Sequence, residues 1–299
     1  MKLGILPTFD RRTTLDPDFV AGFARMAEEG GCESIWAVEH VVVAERYEPL
    51  YPYSPDGRMP TGPDTVMPDP LEWLAYVAAV TRHLRLGTSV MVASEHSAAI
   101  LAKRVATLDA LSRGRVLLGV GIGWQKEEYA AIGVPYRDRG RRLDETIEAM
   151  RALWGPGPAS YRGRHVSFEN VSCDAKPARK GGPPILIGGS SPAAARRAGR
   201  LGDGFYPYVI SPADLALRMA ELRAAAREAG RDPAAIEVTV WPGSFAFDRT
   251  FDLDLIRGYL DCGNVTRLVV SAMEAGGTAM DDFRRLVDAY REKVIQKLS

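Results

Sequence analysis

Short apolar runs alternate along this chain with segments in which apolar residues recur every three or four positions. The runs are predicted strands at Lys2–Phe9, Ser34–Val43, Leu84–Val92, Arg115–Trp124, Ile185–Ile187, Gly204–Val209, Ile236–Trp241 and Thr266–Ser271. The near-continuous apolar character of Ser34–Val43 suits a sheet covered on both faces. Predicted helices fill the gaps: one capped by Asp16 and running to Glu29, one from Asp69 and Pro70 to about Arg82, then Ala98–Leu111 and Arg139–Trp154. Others begin near Pro192, cover Pro212–Ala229 and Asp252–Leu260, and end with Asp281–Lys297. In the fourth, Leu143, Ile147, Met150 and Leu153 keep helical spacing. Strands and helices thus alternate eightfold with no break in composition, which predicts a single α/β domain over residues 1–299, a (β/α)8 TIM barrel. A doubly wound sheet would carry a Gly-x-Gly-x-x-Gly turn after the first strand; Pro7, Thr8, Phe9 and Asp10 stand there instead.

Two segments break the rhythm. Residues 45–69, after strand two, set Tyr47, Tyr51 and Tyr53 among Pro49, Pro52, Pro55, Pro60, Pro63 and Pro68, with Gly57 and Gly62. No core strand or helix accommodates that proline density, so the insertion reads as an ordered loop over the barrel mouth. Residues 155–183, after helix four, form a second insertion with a possible hairpin around Tyr161–Phe168.

In such a barrel the chemistry belongs at the C-terminal strand ends. These offer Phe9; Glu39 and His40; Ser89 and Met91; Gly121, Gly123 and Trp124; Gly188, Gly189 and Ser190; Tyr206 and Tyr208; and Trp241. His40 is foremost among the few that titrate near neutrality. Three glycines at the end of strand four suggest a close approach to its backbone, by a ligand or by packing. After strand five, Gly188 and Gly189 allow a tight turn, Ser190 or Ser191 can cap the following helix, and Pro192 suits its first turn. The exposed N–H groups at that helix start make an anion site. The set suits a flat ring system. No metal is expected: the histidines lack ligand spacing, and Glu39 and His40 would point to opposite faces of a strand. A hydrolase's Gly-x-Ser-x-Gly elbow is missing.

Composition narrows the classes. Lys plus Arg and Asp plus Glu number 38 each, so the formal net charge is zero and a nucleic-acid surface is not expected. No stretch reaches the roughly 20 apolar residues of a membrane span, and the first apolar run is too short for a signal peptide. Cys32, Cys173 and Cys262 are scattered and read as small buried hydrophobes. A cytoplasmic protein is expected.

Several motifs carry a resemblance over essentially the whole chain: Trp36–His40, Leu86–Val90, Ala102–Asp109, Gly114–Trp124 with the Glu127–Tyr129 that follows, Ile187–Ser190 and Leu201–Gly204. With them the chain resembles the bacterial luciferase-like monooxygenase family, in its deazaflavin (coenzyme F420)-dependent oxidoreductase branch. The resemblance implies a cofactor held by Ser89, Val90, Gly121, Gly123, Gly188, Gly189 and Ser190, with its phosphate on the last three. It also implies a cis peptide at Ser89–Val90 and His40 as proton donor or base in a hydride transfer. Sugar-phosphate dehydrogenases of that branch carry a glutamate where Trp124 stands. With Phe9, Glu39, Tyr51 and Trp241, Trp124 therefore implies a substrate pocket for a small, rather apolar organic molecule. The oligoglutamate tail of F420 would need basic side chains, for which Arg196, Arg197, Arg179 and Lys180 are candidates. Two other readings stand beside this one: an FMN-dependent monooxygenase using O2 and a separate flavin reductase, and a non-catalytic cofactor-binding protein. Family members are commonly homodimers.

Overall fold

The computed structural model describes residues 1–62 and 65–298; Pro63 of the proline-rich insertion lies outside the described residues. In chain order the elements are β1 (Lys2–Leu6), α1 (Arg11–Leu15), α2 (Pro17–Glu29), β2 (Ser34–Ala37), α3 (Pro70–Val80), β3 (Arg85–Thr88), α4 (Ala98–Leu111), β4 (Val116–Val120), α5 (Lys126–Ala131) and α6 (Arg139–Trp154). There follow β5 (Ala159–Arg162), β6 (Ser167–Val171), β7 (Ile185–Gly188), α7 (Pro192–Leu201), β8 (Gly204–Tyr206), α8 (Pro212–Glu228), β9 (Glu237–Val240), α9 (Pro242–Phe245), α10 (Leu253–Leu260), β10 (Val265–Ser271) and α11 (Met280–Lys293). Eight parallel strands close a barrel in the order β1-β10-β9-β8-β7-β4-β3-β2, while β5 and β6 form a separate antiparallel hairpin where the second insertion predicted one.

Local chemistry explains the helix starts. Asp16, Asp69, Ser191 and Ser211 each accept backbone N–H groups of the first turn, and each is followed by a proline. Proline in the first turn has a suitable φ and lacks an N–H that would go unpaired.

The predicted strands ran too far at their C-terminal ends. β1 stops at Leu6 rather than Phe9, β2 at Ala37 rather than Val43, and β4 at Val120 rather than Trp124. Apolar patterning continues past the ladder, which ends where the strands part at the rim; of these residues Trp124 stays buried, whereas Val41 and Val42 are exposed. Short helices that the periodicity did not show, α1 and α5, occupy the loops so released.

The barrel interior is filled by Leu6, Trp36, Leu117, Leu186, Tyr206 and Val269, with Phe9, Val38, Val90 and Trp241 packed on this plug. Fully buried Trp36 fits only because its neighbours on β1 and β3 are glycines: a Cβ at Gly4 would lie 2.4 Å from its Nε1, and one at Gly87 would lie 2.2 Å from its Cε3. Below the plug, at the N-terminal floor, the Arg267 guanidinium makes two 2.8 Å bonds to Glu33 and one of 3.0 Å to Thr239. A second, larger apolar layer lies between the strands and the ring of helices.

Candidate active site

At the opposite end the strand-two loop delivers two side chains in different directions. His40 Nδ1 lies 2.8 Å from Oε2 of Glu128, a residue of α5. The other oxygen of Glu128 accepts the N–H groups of Val41 at 2.6 Å and Val42 at 3.3 Å, so the carboxylate is fixed before it meets the imidazole. A carboxylate on Nδ1 orients the ring and leaves Nε2 without a protein partner among the hydrogen bonds of the described residues. The side chain of His40 keeps 12% exposure against 1% for Glu128, so the ring alone can reach a ligand.

Glu39 turns the other way. It was expected in the substrate pocket, but it is buried, its oxygens taken by the Val92 N–H at 2.6 Å and by His96 Nε2 at 2.9 Å. Between these two pairs stands Glu95, which is 7% exposed; among the described residues neither of its oxygens has a hydrogen-bond partner. Burial, reinforced by the carboxylates of Glu128 and Glu39, pushes its pKa up to about 9. Glu95 is therefore a neutral carboxylic acid at physiological pH. Among the described residues no three His, Cys, Asp or Glu side chains are arranged to hold a metal ion.

An aromatic wall starts at His40. Its ring lies 6.1 Å from that of Trp124, and Tyr47 and Tyr51 each meet Trp124 edge-on at 5.1 Å. Tyr51 continues to Tyr53 at 5.4 Å, Tyr53 to Tyr208 at 4.9 Å, and Tyr208 to Trp241 at 5.7 Å. The described tyrosines of the proline-rich insertion thus lie over the mouth. The insertion brings Tyr51 to Trp124, while Phe9 and Trp241 cover the barrel plug beside them.

The glycines have a more specific explanation than general ligand approach. The Ser89–Val90 peptide is cis. A Cβ at Gly121 would lie 2.7 Å from Val90 Cγ2, one at Gly188 2.7 Å from Val90 Cγ1, and one at Gly123 2.8 Å from Val92 Cγ1. Gly121, Gly188 and Gly123 seat the valines of the strand-three bulge. Ser89 itself points its hydroxyl to Tyr206 at 3.2 Å.

The turn after β7 is the candidate cradle. Gly189 has φ +98°, which favours glycine, and the nearest atoms to a Cβ there would be Ala194 Cβ at 3.4 Å and the Tyr53 hydroxyl at 3.6 Å. Of the two candidate caps, Ser191 caps α7, whereas the Ser190 hydroxyl donates to the Tyr208 carbonyl and accepts its N–H at 3.1 Å. Ser190 can therefore offer an anion its backbone N–H, while its hydroxyl is committed to Tyr208. The cradle, at the start of a ten-residue helix, fits a phosphate group.

The basic residues expected near it divide. Arg197 is held by Asp144 and the Gly140 carbonyl, and Arg179 lies against Gly114 at the start of β4, at the floor. The start of α6 carries another basic group, Arg137 just before it and Arg139, Arg141 and Arg142 within it. Arg139 Nε reaches the Gly123 carbonyl at 3.4 Å and stacks on Tyr136 at 3.9 Å. Its sequence signal was a run of four arginines in six residues.

Comparison with known proteins accords with this architecture. A family model described as luciferase-like monooxygenase matches residues 1–252. An uncharacterized protein of Mycobacterium tuberculosis is 38% identical over 184 residues, 62% of this chain and 63% of that protein, so the match spans less than two thirds of this relative's length. A second uncharacterized protein of the same organism is 30% identical over 289 residues, 95% of this chain and 96% of the relative. F420-dependent glucose-6-phosphate dehydrogenase of Kineococcus radiotolerans is 32% identical over 193 residues, 63% of this chain and 52% of that enzyme. Among solved structures, monooxygenase RslO1 from Streptomyces bottropensis superposes with TM-score 0.76 at 21% identity over the full length of both chains. Coenzyme F420-dependent tetrahydromethanopterin reductase from Methanopyrus kandleri gives 0.75 at 17% identity, over 100% of this chain and 99% of that one. At these identities the structural likeness is one of fold.

Proposed function

The chain belongs to the luciferase-like monooxygenase family, and on that premise we propose that it is an oxidoreductase using coenzyme F420 on a small, rather apolar organic substrate. The observation that carries this reading is the His40 imidazole, fixed by Glu128 at 2.8 Å and presented beside the Trp124 ring at the barrel mouth. The amides of Gly189 and Ser190 would hold the cofactor phosphate, and the Val90 bulge would back its ring. When bound, the deazaflavin supplies the hydride-carrying carbon. His40 Nε2 gives a proton to, or takes one from, the substrate oxygen, and Glu128 stabilises the imidazolium in between. Trp124, Tyr47 and Tyr51 keep water out and favour an apolar substrate, because they present ring faces and edges where a charged substrate would need donors. The arginines that open α6 favour F420 over FMN, since the F420 tail adds carboxylates beyond the phosphate whereas the FMN phosphate ends the molecule.

A fluorescence titration of the purified protein with each cofactor tests the choice. Saturable binding of F420, tighter than that of FMN, is the expected result. Binding of FMN alone would replace the proposal with an O2-using monooxygenase served by a reductase, and binding of neither would remove the cofactor reading.

A further inference from the structure

The loop that covers the mouth is tied down at its base and self-contained at its tip. The N–H of Ala44 bonds the Gln125 side chain at 3.1 Å and that of Glu48 bonds the Glu127 side chain at 2.9 Å, anchoring the loop on α5 and the residue before it. The Tyr51 N–H also reaches the Gly57 carbonyl at 2.8 Å and the Met59 N–H reaches the Tyr47 hydroxyl at 3.1 Å, so residues 47–59 form one internally bonded unit whose base is anchored at Glu48. This unit leans on the barrel through rings: Tyr51 on Trp124 and Tyr53 on Tyr208.

Tyr53 carries the unit into the anion cradle. Its hydroxyl lies 3.6 Å from the position of a Gly189 Cβ, close to the spot a phosphate oxygen would take. Burial pushes this phenol up to about 12, against the opposing pull of the Ser190 backbone N–H that it faces. A phenol oxygen is a fair substitute for an anion at such a turn, because it can accept from an amide without bringing a charge to be desolvated.

We propose that Tyr53 is the resident occupant of the Gly188–Ser190 cradle, and that a cofactor phosphate enters by displacing its hydroxyl and lifting the 47–59 unit off the turn. The inference rests on the phosphate placement proposed above and adds the residue that competes for it. Tyr51 and Tyr47 belong to the same unit, so their contacts with Trp124 loosen in the same movement. Cofactor loading and access to the substrate wall are thereby coupled. The occupied cradle lowers apparent affinity by the fraction of molecules in which it is closed.

Stopped-flow binding of coenzyme F420, or of FMN if that is the cofactor bound, to the wild type, Tyr53→Phe and Gly189→Ala tests this. Tyr53→Phe keeps the ring and removes the competing oxygen. Its association should be faster and its Kd lower by roughly two- to tenfold, the factor equivalent to one ordinary hydrogen bond. Gly189→Ala should weaken binding, with a thermal melt confirming that the variant is folded. If Gly189→Ala weakens binding while Tyr53→Phe binds no faster and no tighter, Tyr53 is not a competitor and the inference is overturned. If Gly189→Ala binds as the wild type does, the phosphate placement itself fails and takes this inference with it. Binding of neither cofactor does the same.

Discussion

The two ends of the barrel both bury charge, and they do so on different terms. At the floor, Arg267 is 1% exposed and is matched by the bidentate Glu33 and by Thr239. Burial alone would raise the pKa of Glu33, but the Arg267 guanidinium outweighs it and holds the carboxyl below its usual range. At the mouth, three carboxyl groups face two imidazoles and one of the three, Glu95, has neither a counter-charge nor a hydrogen bond among the described residues. The floor settles its charges to close the sheet. The mouth keeps an addressable imidazole and a neutral acid within the same few residues, an arrangement that costs stability and is expected where proton transfer is performed.

The largest effect should come from the mouth. His40→Ala should lower turnover by about 10²- to 10⁴-fold, the usual range for a lost general acid or base. Cofactor affinity should stay within roughly twofold and the unfolding midpoint should barely move. A variant that turned over normally would put the floor and the mouth on the same footing. At the floor the order reverses: Arg267→Met should cost about 3–5 kcal/mol in urea unfolding, because it leaves Glu33 without its counter-charge. Cofactor binding per folded molecule should be unaffected.

Glu95 separates the two ends by pH. Its ordinary pKa is 4.5 and its folded value is about 9. Between those limits the folded protein keeps a proton that the unfolded chain has released, so this group makes stability fall as pH rises and leaves it level above the folded value. The slope is at most about 1.4 kcal/mol per pH unit. Glu95→Gln, neutral in both states, should abolish that slope, equalling the wild type near pH 4.5 and exceeding it increasingly towards pH 9. Parallel urea midpoints for the two proteins across that range would show that Glu95 is ionised in the fold. The smallest effect belongs to the solvent-facing edge of the floor. The Lys2–Glu237 pair at 2.8 Å is 37% and 45% exposed. Lys2→Ala should therefore change unfolding by less than about 1 kcal/mol, and less still at high salt.

Much of the fold was legible because its signals are local. Apolar runs, helical spacing and the Asp-Pro and Ser-Pro starts each act within a few residues, and together they yielded the eightfold alternation and the capped turn after strand five. The site was legible by position, since strand ends could be enumerated, and less so by partner. His40 and Glu128 are 88 residues apart, and they meet because α5 folds over the rim, which no periodicity in the sequence reports. Gly121 and Gly188 signalled a close approach but not by what; the answer, Val90, lies just past a third strand, β3. Glu39 stood at the expected rim position, yet its direction was set by the Val92 N–H and His96. The tyrosines of the loop suggested order over the mouth, whereas their landing on Gly189 depended on the path of residues 47–59.

The most direct measurement is a crystal structure of the protein with the cofactor that the titration selects. The expected result is the phosphate against the Gly189 and Ser190 amides, Tyr53 displaced from them, and the cofactor ring on the Val90 bulge with His40 Nε2 facing its reactive carbon. A cofactor bound with its phosphate elsewhere, or with Tyr53 still on the turn and His40 turned away from the ring, would contradict it.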